Sequence, residues 1–184
     1  MRKTRIMTAT VCASVLALAA CEVKTEVDDG ASEALAAAEA KLAQMASYEA
    51  ELAAVKTWRE VWDSADVDKL DAVAHSDYKR MAPDLNANSL EELKAFILQV
   101  HATYPDYSIS NDGMAAGEDG VFLQWTVTGS DSGRGEDATG KPFKVTGISR
   151  YWFADGKIAK ELVIFDTGAV MTQLETDGLP HTSE

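Results

Sequence analysis

The chain has 184 residues, enough for one domain with appendages, and at 46% hydrophobic and 26% charged its composition is that of a folded protein. Its formal charge of −13, from 30 acidic and 17 basic side chains, argues against a nucleic-acid partner, because binding phosphates requires a basic surface. The same charge disfavours electrostatic docking on anionic lipid.

The first residues, "MRKTR", place Arg2, Lys3 and Arg5 ahead of the apolar run "IMTATVCASVLALAA". That run is too short to span a bilayer comfortably and fits the hydrophobic region of a secretory signal. It closes on "LAAC", Leu18 to Cys21, which resembles the bacterial lipobox, whose cysteine sulfur receives a diacylglycerol and becomes the mature N-terminus. The alternative is an ordinary signal peptide with a chance cysteine. Removal of residues 1–20 takes away three basic side chains, leaving 14 against 30 acidic ones and a formal charge of −16. Cys12 leaves with the signal, so Cys21 stands alone and no structural disulfide is expected, even in an oxidising compartment. Each buried lipid methylene contributes about 0.8 kcal/mol, so two or more acyl chains would hold the protein at a membrane without a spanning helix. The expected location is the cell envelope outside the cytoplasm, lipid-anchored to the inner or outer membrane. Glu22, not being aspartate, permits outer-membrane sorting in organisms that use that rule.

Residues 21–30, short and charged, read as a tether. Residues 31–56 are rich in alanine, glutamate, lysine and leucine, all strong helix formers. Leu35, Leu42, Met45, Leu52, Val55 and Trp62 recur near the helical period, which predicts one long helix or two abutting ones ending near Asp63–Ser64. The alanine-rich early turns have little bulk to bury and suit a stalk or a partner helix. A short helix around Val67–Ala74 and an extended segment follow. "NSLEELKAFILQVHATYP" carries Ser89 as a cap with Glu92 three residues on, apolar positions Leu90, Leu93, Phe96, Ile97 and Val100 on one face, and Pro105 at the exit. The period then changes to two. About four strands separated by Gly/Asp turns follow, with a long connection at Ser130–Lys141. Helices first and strands afterwards indicate an α+β fold, its helices packed on one face of a curved sheet.

Several strings in this order resemble the SnoaL-like polyketide cyclases, also called ester cyclases, of the nuclear-transport-factor-2-like superfamily. They are "VWDSADVDKLDAVAHSDY", "TYPDYSI", "WTVTGSDSG", "ATGKPFKVTGISRYWFADGKI" and "FDTGAVMTQLE". The resemblance assigns residues 57–180 to one SnoaL-like domain. It implies a cone-shaped barrel of curved mixed or antiparallel sheet, an apolar pocket at the wide end, and a homodimer. In the family an acid/base aspartate sits on the last strand, two residues after a histidine and three before a second aspartate. Those positions here are Val163, Glu161 and Asp166, so only the second aspartate is kept. The family's histidine on the preceding inward strand falls at Ser149, and its turn histidine at Asp131. An aldol-type cyclisation needs a base beside a carbonyl and a donor for the enolate, and Val163 is neither.

The question concentrates on "DGKIAKELVIFD". If Lys160 points to water, strand alternation sends Glu161, Val163 and Phe165 to the other face. Glu161 then reads either as a pocket carboxyl with a pKa raised by desolvation, or as a structural residue, paired with a lysine or arginine at the barrel mouth or turned to solvent by strand twist. Asp166 reads first as an acceptor for the turn Thr167–Gly168 and second as an auxiliary acid/base group. Ser149 and Tyr151 share strand parity and would orient a ligand carbonyl. Trp62 and Trp125 supply aromatic wall, and His75, before "SDY", is a further ligand contact implied by the family's barrel mouth. His101 is expected to cap the last turn of its helix. His75, His101 and His181 have no metal-ligand spacing, so neither a metal nor another cofactor is expected. Three functions compete. One is a cyclase-, isomerase- or hydratase-like enzyme working by carboxylate proton transfer on a small apolar molecule. The others are a lipoprotein that binds such a molecule without catalysis, and an assembly module using the alanine-rich helix.

Overall fold

The computed structural model describes residues 29–182. Cys21, the signal segment and most of the tether lie outside the described residues. Among the described residues no helix is long and apolar enough to cross a membrane. The chain divides into two units after Ala37. Of the first, the described part is the opening of helix α1 (Asp29–Ser64), exposed from Gly30 to Ala37.

The second unit carries the rest of α1, a 3-10 turn at Val67–Lys69 and the short helix α2 (Leu70–Val73). Strand β1 (Ala74–Met81), helix α3 (Leu90–Thr103), strands β2 (Ser108–Gly117), β3 (Gly120–Ser130), β4 (Pro142–Ala154) and β5 (Lys157–Phe165), and helix α4 (Thr167–Leu174) follow. α1 ends where the sequence placed its end. Its apolar stripe, however, splits. Leu35 and Leu42 are 62% and 66% exposed and Met45 is also exposed, whereas Val55, Trp58, Val61 and Trp62 are buried. The bulky residues at helical spacing bury one face, each contributing about 1.5–3 kcal/mol, while the alanine turns before them have little apolar area to gain from packing.

α3 starts as its sequence dictates. The Ser89 hydroxyl accepts a hydrogen bond from the Glu92 N–H at 3.2 Å, and the Glu92 carboxylate reaches back to the Asn88 N–H at 2.7 Å. His101 departs from expectation. Its Nε2 donates to the Trp62 carbonyl in the last turn of α1 at 2.9 Å, so it ties two helices together and does not cap its own.

The five strands form one sheet in the order β1-β5-β4-β3-β2, antiparallel except for the parallel β1–β5 pair. The sheet is mixed, as expected, but does not close. β1 and β2 are its two edges, so the cone is an open sheet and not a complete barrel. Alternation is regular on β3 and β4. Leu123, Trp125, Val127, Phe143, Val145, Ser149 and Tyr151 face the core, while Phe122 and Ile148 face out. On β5, a register shift opposite Trp152/Phe153 separates Ile158 from the following inward residues. After it, Glu161 and Val163 are buried and Ile164 is exposed, the alternation anticipated for this strand.

Candidate active site

Sheet pairing assembles the site before any loop contributes. On β4 and β5 the cross-strand partners are Tyr151↔Glu161, Ser149↔Val163 and Gly147↔Phe165. On the other side of β5, β1 sets Arg80 beside Glu161. Tyr151, Glu161 and Arg80 therefore form one inward row across three adjacent strands. A cavity of about 70 Å³ lies against this row, with Trp62, Tyr107, Trp125, Val163 and Phe165 in its wall. That is room for several waters or part of a small molecule. The absence of a side chain at Gly147 lets the Trp125 ring pack there, since an added Cβ would lie 2.3 Å from the indole. Trp125 in turn donates its indole N–H to the Ser149 hydroxyl at 3.0 Å.

Glu161 is 2% exposed. Tyr78 donates its hydroxyl to the Glu161 Oε2 at 2.8 Å, and Arg80 Nε stands 3.7 Å from the same oxygen. Burial pushes the carboxyl's pKa above its ordinary value, and the Arg80 charge and the tyrosine hydroxyls offset only part of that push. Both readings of Glu161 thus meet in one residue: it lines the cavity and it faces a cation, but at a distance too long for a hydrogen bond. The phenols of Tyr78 and Tyr151 are pushed well above their ordinary pKa by burial and by the Glu161 charge, so both stay protonated and act as donors.

The Arg80 guanidinium is committed elsewhere. It makes a two-point pair with Asp84 at 2.9 and 3.3 Å and donates to the Leu85 carbonyl at 2.8 Å, leaving its buried Nε without a hydrogen-bond partner. Burial opposes its charge, but Asp84 and Glu161 outweigh burial and raise its pKa. Beyond Asp84 lies His181, in a 3-10 turn at Pro180–Thr182, with Nε2 4.0 Å from Asp84 Oδ2 and Nδ1 2.8 Å from the Tyr104 hydroxyl. Burial lowers the His181 pKa to about 4, Asp84 opposing and Arg80 assisting. The imidazole is neutral at ordinary pH.

Of the residues expected at the site, Glu161, Ser149, Tyr151, Trp62, Trp125, Val163 and Phe165 line the cavity. Asp166 and His75 do not. Asp166 is exposed and caps α4, accepting the Ala169 N–H at 2.9 Å, so it starts a helix where a simple turn was anticipated. His75, near the start of β1, accepts the Asp77 N–H at 3.1 Å and stands 3.7 Å from Asp155. Asp131, at the position of the family's turn histidine, is buried in the β3–β4 connection and holds Arg134 and the Thr139 N–H. Missed from sequence were Tyr78, Arg80, Asp84, Tyr104 and His181. The alternation Tyr78/Arg80 in "DYKRM" was a usable signal, since it places an arginine on the inward parity of a strand; nothing local marks Asp84 or His181. Among the described residues no group of three or more His, Cys, Asp or Glu side chains is arranged to hold a metal ion.

The family model for the SnoaL-like polyketide cyclases matches residues 52–174. The chain belongs to that family. Solved structures agree on the fold. This SnoaL-like chain superposes on TsrD from Streptomyces laurentii with a TM-score of 0.61 and 23% identity, covering 68% of this chain and 95% of that one. A candidate SnoaL-like polyketide cyclase from Jannaschia sp. CCS1 gives 0.62 and 19%, with 69% and 92% covered. IdmH from Streptomyces antibioticus, a candidate polyketide cyclase, gives 0.59 and 19%, with 68% and 99% covered. No curated protein is similar enough in sequence to serve as a relative. The SnoaL-like match ends at Leu174, so His181 enters the cavity wall from beyond it.

Proposed function

We propose that the protein is a cyclase- or isomerase-like enzyme, anchored outside the cytoplasm through a lipid on Cys21, that moves a proton beside a carbonyl of a small, largely apolar substrate. The observation that carries this is Glu161: a buried carboxyl on the wall of an aromatic cavity, with a raised pKa. A pKa nearer the working pH is what a group needs in order to take and return a proton. The Glu161 carboxylate accepts the proton from carbon. The Tyr151 hydroxyl, its cross-strand neighbour, donates a hydrogen bond to the carbonyl oxygen as negative charge develops there. Tyr78 fixes the carboxyl by its 2.8 Å hydrogen bond, and the proton then returns from Glu161 to the same or a neighbouring carbon. Trp62, Trp125, Val163 and Phe165 supply the apolar contacts.

The test is deuterium uptake from D₂O at the carbon beside the carbonyl of acetophenone, followed by NMR. Wild type is expected to accelerate exchange and Glu161→Gln to lose about 100-fold or more of that acceleration, the ordinary scale of general-base catalysis. Equal exchange in the two proteins would refute the assignment. One observation favours a second reading, a binding protein of the same fold: Val163 fills the position where the family carries its acid/base aspartate. Saturable acetophenone binding without any exchange by wild type would decide for that reading.

A further inference from the structure

Arg80 is the nearest cation to Glu161, and its closing onto that carboxylate would suppress proton exchange. We propose that Asp84 is a positioning residue for Glu161, holding the Arg80 guanidinium in a two-point pair so that it stays out of hydrogen-bond contact with the Glu161 carboxylate. This deepens the acid/base reading of Glu161 and rests on it.

The geometry carries the argument. Arg80 uses NH1 and NH2 on Asp84 at 2.9 and 3.3 Å, and NH1 also serves the Leu85 carbonyl. Its Nε–H points at no acceptor within hydrogen-bond reach and stays 3.7 Å from Glu161 Oε2. A buried guanidinium with an unused donor beside a buried carboxylate is a pair held apart, because a charged hydrogen bond between them would otherwise form at a shorter distance. Arg80 packs against both the Trp62 and Phe96 rings, 5.6 and 5.5 Å from their centroids, and these two rings meet edge to face at 6.3 Å, which limits its swing on that side. Asp84 sits in the loop between β1 and α3, which adjoins the inward row through chain connection to β1. The buried Glu161 and the partly buried Asp84 thus share one buried cation, and the nearer claim belongs to Asp84.

The groups that face Glu161 are Tyr78 and Arg80 from β1, Asp84 from the loop after it, Tyr151 from β4, and Tyr107 from the segment before β2. Asp84 itself also faces His181 and Tyr104. Of these, Asp84 both occupies the cation and adds its own negative charge, and each effect keeps Glu161 a weaker acid.

The experiment is a ¹³C NMR titration of the Glu161 side-chain carboxyl, assigned by its absence in Glu161→Gln, in wild type and in Asp84→Asn, Asp84→Ser and Asp84→Glu. Near-ultraviolet circular dichroism establishes that each variant is folded. With the charge removed, Arg80 is expected to close on Glu161 and the midpoint to fall by about one pH unit or more, a tenfold gain in acidity. Asp84→Ser carries the same expectation with a smaller side chain and decides the matter if the Asn variant does not fold. Asp84→Glu, which keeps the charge, is expected to titrate with wild type. A midpoint unchanged in Asn and Ser, or lowered equally in Glu, overturns the proposal. That failure is distinguishable from failure of the function itself, because the titration reads no turnover and the exchange assay uses no Asp84 variant.

Discussion

Acid should loosen this fold through one histidine. His181 is neutral in the folded protein, with a pKa near 4 against 6.5 for the free side chain, because burial penalises the imidazolium. A depressed pKa means that the folded state binds fewer protons than the unfolded one, so stability is fully present above pH 6.5 and is lost as the pH falls toward 4. The gap between the two values is worth about 3 kcal/mol when fully expressed, and about 2.5 kcal/mol of it should be gone by about pH 4.5. Glu161 acts oppositely. Its raised pKa makes its protonation on acidification stabilising, so the raw pH dependence of wild type mixes the two. Comparison with His181→Gln removes this complication, since Glu161 contributes to both proteins. Urea unfolding followed by tryptophan fluorescence at about pH 7.5 and about pH 4.5 should show wild type losing about 2.5 kcal/mol more than the variant. Parallel losses in the two proteins would show that His181 is not held neutral by the fold, and the account of its burial against Tyr104 and Asp84 would fail.

Two further outcomes can be checked, one from the structure and one from the sequence. Asp166→Ala removes the acceptor for the Ala169 N–H at the start of α4, so thermal or urea unfolding should register a loss of about 1 kcal/mol, with exchange activity at Glu161 unchanged. A drop in exchange beyond that expected from stability would return Asp166 to the catalytic list. Cys21→Ser should move the protein from the membrane to the soluble fraction of an extracytoplasmic extract and abolish incorporation of labelled fatty acid; persistence at the membrane would exclude acylation at that residue as the anchor.

Apart from Trp62 on α1, the parts of the site that were legible in the sequence lie on regular strands. The parity that sent Glu161, Val163 and Phe165 inward depends on alternation along one strand, and Ser149 and Tyr151 on β4 followed from the same rule. The Ser89 cap and the end of α1 at Ser64 were equally local. Asp166 was misjudged in part, because a strand-end aspartate can serve a turn or a helix, and only the chain's course after Phe165 distinguishes them. The stripe on α1 was legible only as a stripe. Helical periodicity shows which residues share a face, not whether anything covers it, and Leu35 and Leu42 are exposed.

By itself the sequence determined the order of the elements, the family, and the placing of one glutamate among apolar neighbours on an inward strand face, because each depends on residues close together in the chain. Only the tertiary structure decided what that glutamate meets. Tyr78 bonds it across 83 positions, Arg80 comes alongside through parallel pairing of the first and last strands, and Asp84 and His181 arrive from irregular segments with no period to read. The pKa of a carboxyl depends on those distant neighbours and on the water they exclude, so the chemistry of Glu161 became readable only once the chain had folded back on itself.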